Sequence, residues 1–100
     1  MDGPQGGNSL RPVLLYSSEV VRVRFYMKAG CWLCDSTEET LNGLKVKHGL
    51  VVEKVHIDSD PGLYEMYRFD IPVLEFKDGT ALHGRIKKGD LLKAINANKE

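Results

Sequence analysis

The two cysteines of this chain, Cys31 and Cys34, are its only thiols and stand three positions apart. A helix brings residues with this spacing to roughly 5–6 Å between Cβ atoms, which suits both a dithiol and a disulfide. A ring this small restricts the unfolded chain only slightly, so a bridge here contributes little stability. The spacing therefore predicts a redox pair that opens and closes reversibly.

Two other interpretations of the cysteine pair stay open. Both residues can be small buried side chains of the core. A structural zinc site takes about four ligands, whereas the chain supplies one cysteine pair and three histidines without ligand-type spacing, His48, His56 and His83. We therefore expect no metal site and favour the redox interpretation.

The order of the two cysteines predicts different roles for them. Cys31 stands at the expected start of a helix, where free backbone N–H groups and the helix dipole lower the pKa of a thiol. Lys28, three positions earlier, adds positive charge, and Asp35 partly opposes it. We expect Cys31 to attack a substrate disulfide and the more buried Cys34 to resolve the mixed disulfide.

Trp32 and Leu33 separate the two cysteines, and both side chains are bulky and apolar. At an exposed corner they would form a docking surface for a partner. Alternatively, Leu33 turns into the core and Trp32 only shields the sulfur. The sequence leaves both interpretations open.

Hydrophobic periodicity indicates the elements that position this pair. Strand-like segments are expected over 20–27, 50–58, 71–77 and 80–85. In the first of them, apolar residues alternate with Arg22, Arg24 and Tyr26, a period of two that indicates a strand. Helical spacing runs from Cys31 to a stop at Gly49, after an N-cap at Ser59 or Asp60, and over 87–100, where Leu91, Leu92 and Ile95 point inward.

The resulting order, β-α-β-α-β-β-α, predicts an α/β domain with a four-stranded mixed sheet and flanking helices. Strands joined through helices are expected to pair in parallel, and the last two strands to form an antiparallel hairpin. One domain is also what 100 residues normally make. We expect 1–19 to be a flexible leader, 20–97 the domain and 98–100 a tail.

Composition excludes several classes of function. Fourteen Lys and Arg residues balance fourteen Asp and Glu residues, which gives no electrostatic basis for binding nucleic acid or a membrane surface. No apolar run approaches the ~20 residues of a membrane-spanning helix. A free cysteine pair suits a reducing compartment, so we expect a cytoplasmic protein, with the mitochondrion as the other compartment considered. We also expect a monomer.

A second signal is Pro72, which begins a strand otherwise composed for burial. Proline cannot donate to a strand ladder, so it belongs at the first residue of a strand or at an edge. A cis Ile71–Pro72 bond at this place would be a specific feature of the fold.

These segments together resemble thioredoxin-fold proteins and, among them, glutaredoxins, over roughly residues 20–97. The run FYMKAGCWLC is similar to the glutaredoxin lysine-x-x-Cys-x-x-Cys opening, and FDIPVLEFKDG to the strand with that fold's cis-proline. CWLCDSTEETL, DSDPGLYEMYRFDIPVL and HGR are closer still to a small glutaredoxin-like family with a Cys-x-Leu-Cys-Asp active site. The resemblance implies a thioredoxin-like fold and a thiol-disulfide oxidoreductase.

The resemblance also implies a binding site beside the sulfurs. Ile71, before the cis-proline, would offer its backbone N–H and C=O to an extended peptide or to glutathione. Lys28 and Arg68 would meet a glutathione carboxylate; otherwise they are a solvated lysine and a helix-terminal arginine. Trp32 and Pro72 would line the site. The expected partner is a disulfide-bearing protein or glutathione, which is a candidate co-substrate, and no cofactor is expected to be bound.

The chain departs from the glutaredoxin pattern at two places. After the fourth strand, Arg85 follows Gly84 where a second glycine is usual, and the acidic Asp90 lies further downstream. Arg85 would make a different anion contact or be a solvated strand end. Trp-Leu also replaces the usual proline–aromatic pair between the cysteines. Because a fold alone does not confer activity, a binding module with incidental cysteines stands beside the enzyme as an alternative. A dimer that holds an iron–sulfur cluster is the third function considered, and the two departures argue against it.

Overall fold

A computed structural model of the chain describes residues 20–99. Four strands form one sheet: β1 (Val21–Met27), β2 (Leu50–His56), β3 (Val73–Phe76) and β4 (Ala81–His83). The described helices are α1 (Trp32–His48), α2 (Pro61–Tyr67) and α3 (Lys88–Ala97), with a 3-10 turn at Ile57–Ser59. The element order is the predicted one. The leader expected over 1–19 lies outside the described residues, as does the last residue of the expected tail.

The strands lie in the order β2-β1-β3-β4 across the sheet. β1 pairs with β2 in parallel, whereas β3 is antiparallel to both β1 and β4. The expectation that helix-connected strands run parallel is therefore right for β1 and β2 and wrong for β3. The seven residues of α2 span only about 10 Å, and a return along seven-residue β2 needs about 23 Å. The chain consequently begins β3 at the end of the sheet where β2 finishes.

One face of the sheet is a continuous apolar layer under α1 and α3. The strands contribute Val21, Val23, Phe25, Met27, Leu50, Leu74 and Phe76. The buried residues of α1 are those that its spacing predicts, Cys34, Thr37, Leu41 and Leu44. In α3, Leu91 and Ile95 are buried as expected, Ala94 is buried with them, and Leu92 is half-buried. This layer anchors the first turn of α1 through Cys34.

The opposite face is covered by α2 only at the end where β1 finishes. Tyr26, Ile57 and Val73 are buried there. The Tyr26 ring stacks on Tyr67 of α2, with the ring centroids 4.2 Å apart. Tyr26 is buried although it lies on the same side of β1 as the exposed Arg22 and Arg24, because α2 covers that part of the face.

Local turn chemistry sets the ends of α1 and α2. Gly49 ends α1 at φ 63°, a left-handed conformation that glycine adopts without strain. The Asp60 carboxylate caps α2 by accepting hydrogen bonds from the backbone N–H groups of Gly62 and Leu63. Pro61 occupies the first turn, where its missing N–H costs nothing. Both boundaries agree with the sequence-based expectation.

Candidate redox site

The two cysteines lie where β1 gives way to α1. Cys31 is the N-cap of the helix, with extended backbone, and Cys34 lies in its first turn. Their Cα atoms are 5.2 Å apart and their sulfurs are joined in a disulfide. This separation lies inside the range of about 4.4–6.8 Å that a disulfide accepts. The helix turn thus holds the pair at bonding distance, as the spacing predicts.

The two sulfurs differ in exposure and in hydrogen bonding. Cys34 is completely buried, whereas Cys31 is half-buried at the edge of the apolar layer. The Cys34 backbone N–H donates to Cys31 Sγ at 3.1 Å. A donor in this position also stabilises a negative charge on the sulfur. The accessible sulfur is therefore the one that the helix start can support as a thiolate.

The Ile71–Pro72 bond is cis, in agreement with the expectation for this fold. Pro72 is buried, and Ile71 packs against the apolar clusters on both faces of the sheet. The Gly84 N–H donates to the Pro72 carbonyl at 3.0 Å and to the Asp70 carbonyl at 3.3 Å. The segment after β4 is therefore fastened to the backbone around the cis-proline.

The Ile71 backbone is already partly engaged. Its N–H donates to the carbonyl of Tyr67, in the last turn of α2, at 3.2 Å. An incoming chain can use this donor only by sharing or displacing that bond. Among the loop and turn backbone hydrogen bonds of residues 20–99, none is accepted by the Ile71 carbonyl.

Trp32 and Leu33 take different positions. Trp32 is 66% exposed, and the Arg85 guanidinium lies over its ring, 5.4 Å from the centroid. Leu33 is half-buried and lines a cavity of about 180 Å³ between α1 and the segment after β4. Of the two, Trp32 is thus the side chain that is exposed to solvent, and Leu33 is the one that packs beside a cavity.

Lys28 and Arg68, the expected glutathione contacts, lie in two separate segments. Lys28 is half-buried in the loop between β1 and α1. Arg68 is the C-cap of α2, and its guanidinium lies 4.5 Å from the Phe69 ring centroid and 5.6 Å from that of Tyr64. Phe69 itself is 85% exposed. The role of both cations toward glutathione stays a prediction.

Sequence reasoning missed the hydroxyl groups that line the cavity beside Arg85. Ser36, Thr37 and Thr40 belong to this lining. Their signal in the sequence is a run of hydroxyl residues at helical spacing that follows Leu33 by three, four and seven positions. The stack of Arg85 on Trp32 has no comparable signal, because it joins residues far apart in the chain.

Tyr26 lies on the face away from α1 and is not a candidate base. Burial, the largest cause, raises the pKa of Tyr26 to about 12. Its hydroxyl donates to Glu75 Oε1 at 2.9 Å. The phenol therefore stays protonated near neutral pH and acts as a packed hydrogen-bond donor.

Neither a metal-binding cluster nor a membrane-spanning helix is present in the described part of the chain. Within residues 20–99, no three His, Cys, Asp or Glu side chains are grouped so that they could hold a metal ion. Over the same range, no helix combines the length and the apolar composition that crossing a bilayer requires.

The sequence matches the family described as "Glutaredoxin-like domain" over residues 22–96. A structural genomics target protein from X. campestris is 28% identical, with a TM-score of 0.64 over 75% of this chain and 96% of that one. A mutant thioredoxin from Halobacterium salinarum is 22% identical, with a TM-score of 0.66 over 85% and 80% of the two chains.

The germline-specific thioredoxin Deadhead from Drosophila melanogaster is 19% identical, with a TM-score of 0.59 over 85% of this chain and 88% of its own. At these identities the two thioredoxins show a common fold and nothing further. No curated protein matches the sequence significantly. The predicted thioredoxin-like fold, with a four-stranded mixed sheet and flanking helices, is confirmed.

Proposed function

The chain belongs to the glutaredoxin-like domain family, and from this premise we propose that it is a thiol-disulfide oxidoreductase that works by dithiol exchange. One observation carries the proposal, namely the asymmetry of the cysteine pair. Cys31 is accessible and accepts the helix-start N–H, whereas Cys34 is buried with its Cα only 5.2 Å away. In this proposal, Cys31 reacts with the substrate, and Cys34 then attacks the mixed disulfide at Cys31.

The reaction begins with the reduced pair. The Cys31 thiolate attacks one sulfur of the substrate disulfide, and the other substrate sulfur leaves as a thiolate that takes a proton from water. Cys34 then gives up its proton and attacks Cys31 Sγ, which displaces the second substrate sulfur as a thiol. Two electrons pass to the substrate, and the Cys31–Cys34 disulfide is the oxidised product. Two molecules of glutathione would restore the dithiol and leave as glutathione disulfide.

The substrate is expected to lie along the cis-proline. The Ile71 N–H is bonded to the Tyr67 carbonyl. We therefore expect Ile71 to bind the substrate backbone through its carbonyl oxygen alone, which accepts a hydrogen bond from an extended chain. Lys28 and Arg68 supply positive charge for a substrate carboxylate, and Trp32 and Pro72 supply apolar surface.

Single cysteine variants test the proposal. Reduced protein is mixed with a peptide disulfide, and thiol release is followed for wild type, Cys31→Ser and Cys34→Ser. Turnover should disappear in Cys31→Ser. Cys34→Ser should accumulate a mixed disulfide at Cys31 that mass spectrometry identifies. Undiminished turnover in Cys31→Ser would exclude Cys31 as the nucleophile.

A binding module is the second candidate function, and two exposed aromatic side chains favour it. Trp32 is 66% and Phe69 is 85% exposed, and exposed aromatic rings are common anchors of protein interfaces. A variant with both cysteines changed to serine separates the two functions. Retention of specific partners by this variant, together with no disulfide turnover by wild type, would favour the module.

A further inference from the structure

A cavity of about 180 Å³ opens between α1 and the segment after β4. Three hydroxyl residues of α1, Ser36, Thr37 and Thr40, form part of its lining, and Arg85 belongs to the lining as well. Arg85 also covers Trp32, the neighbour of Cys31. The cavity therefore adjoins the proposed redox site without containing either sulfur.

Thr37 is the buried polar residue of the described chain, with only 8% of its surface exposed. Its hydroxyl makes no side-chain hydrogen bond among residues 20–99, whereas the hydroxyl of neighbouring Thr40 donates to the Ser36 carbonyl at 3.2 Å. Buried hydroxyl groups are nearly always paired, and leaving one unpaired is unfavourable. An oxygen atom of a ligand in this cavity would give Thr37 its missing acceptor.

Arg85 supplies positive charge at the same cavity. Among the described residues, no carboxylate lies within salt-bridge distance of its guanidinium. Glu38, an acidic residue of α1, is engaged by Lys54 Nζ at 2.6 Å. The exposed Arg85 guanidinium stacks on the Trp32 ring, a contact that leaves its positive charge in place. A fixed guanidinium and a buried hydroxyl donor together are complementary to a carboxylate.

We propose that this cavity binds a side-chain carboxylate of an acidic protein substrate, close to the disulfide that Cys31 attacks. The inference rests on the proposed dithiol exchange and names its substrate class. One carboxylate oxygen pairs with Arg85, and the other accepts the Thr37 hydrogen bond.

The position of the carboxylate relative to the disulfide follows from the backbone. The N–H of Gly84, the residue before Arg85, donates to the Pro72 carbonyl. Trp32, on which Arg85 stacks, directly follows Cys31. Arg85 thus follows a residue that is bonded to the cis-proline, and its guanidinium stacks on the residue next to Cys31. A substrate that lies along Pro72 would bring an acidic residue near its half-cystine within reach of Arg85.

Matched peptides test the inference. Disulfide peptides with a glutamate at neighbouring positions on either side of the half-cystine are compared with the same peptides carrying glutamine. Wild-type protein should reduce the best glutamate peptide with a kcat/KM about tenfold above its glutamine partner. The ratio should fall as salt is added. Equal rates at every position would overturn the inference.

Variants locate the effect. Arg85→Gln and Thr37→Val should bring the glutamate-to-glutamine ratio close to one. Thr37→Ser, which keeps the hydroxyl, should preserve the ratio. Arg22→Gln, which removes an exposed arginine from another part of the sheet, is the matched charge control and should leave the ratio unchanged. An undiminished ratio in Arg85→Gln would assign the selectivity to other residues.

Binding without chemistry separates this inference from the proposed function. Peptides with serine in place of cysteine are titrated into the oxidised protein, and NMR shifts of the Thr37 and Arg85 amides are followed. Shifts with the glutamate peptide alone support the cavity even if no peptide is ever reduced, in which case only the proposed function fails. Arg85-dependent use of glutathione disulfide, with no preference among peptides, would assign the cavity to glutathione and reject a protein substrate.

Discussion

The two faces of the sheet are built from the same strands and held in different ways. Under α1 and α3 the apolar layer is continuous, and Phe25, Leu74 and Ile95 are fully buried in it. Among residues 20–99, burial on the opposite face is confined to the end where Tyr67 stacks on Tyr26.

Beyond that end, the second face carries charged side chains, and no helix of the described residues covers it. Arg24 Nε lies 3.3 Å from Glu53 Oε1, and another nitrogen of Arg24 lies 3.7 Å from Glu75 Oε1. Because these groups are largely solvated, they contribute little to stability. Cys34 belongs to the first face, so the layer that stabilises the fold also positions the proposed resolving sulfur. Substitutions on the second face should therefore disturb the geometry of the cysteine pair less than substitutions on the first face.

The largest expected effect compares one leucine on each face. Leu74→Ala should lower the free energy of unfolding by about 3 kcal/mol or more, because it leaves a cavity in the closed layer. Leu63→Ala, in the half-buried contact of α2 with the second face, should lower it by about 1 kcal/mol. Urea denaturation measures both. Equal losses of unfolding free energy would contradict the claim that the first face contributes more to stability than the second.

Alkaline pH should weaken the second face. The pKa of Tyr26 is raised to about 12 in the folded chain, mainly by burial, against about 10 in an unfolded one. The folded state therefore holds this proton more tightly, and stability that is present below pH about 10 is lost as the pH rises toward 12. Denaturation midpoints across this range measure the loss, and Tyr26→Phe should remove this part of the pH dependence. An unchanged profile in Tyr26→Phe would assign the loss to other groups.

The cap of α2 is expected to have a smaller effect. Asp60→Ala removes the acceptor of two backbone N–H groups and should cost about 1 kcal/mol of unfolding free energy. Asp58→Ala removes an exposed acid that is not the cap, and serves as the control. If the two variants are equally stable, the Asp60 carboxylate does not stabilise α2 on the second face.

The open end of the second face should give the smallest effect. Arg24→Gln breaks both exposed ion pairs, and thermal unfolding should barely distinguish it from wild type at physiological salt. A clear destabilisation that disappears at high salt would show that the charged end supports the fold after all.

The sequence was sufficient for features that depend on neighbouring residues. The helix stop at Gly49, the cap at Asp60 and the helix-start position of Cys31 follow from local chemistry, and all three are present. The cis bond before Pro72 followed from a resemblance and is also present.

Features that depend on distant contacts could not be predicted in the same way. The direction of β3 is set by how far α2 carries the chain, and the burial of Tyr26 by which part of a face α2 covers. The stack of Arg85 on Trp32 joins residues from opposite parts of the chain. Periodicity records which side chains are apolar and gives no information on which distant element covers them.

The N-cap position of Cys31 links sulfur chemistry to the helix itself. The sulfur that is proposed to attack the substrate also accepts the hydrogen bond of the Cys34 backbone N–H. A bulky adduct on Cys31 competes with that role, so forming one should let the first turn of α1 fray. Exchange of the Cys34 amide proton with deuterium should therefore be faster while an adduct is attached to Cys31. It should slow again once the disulfide between the two cysteines has formed.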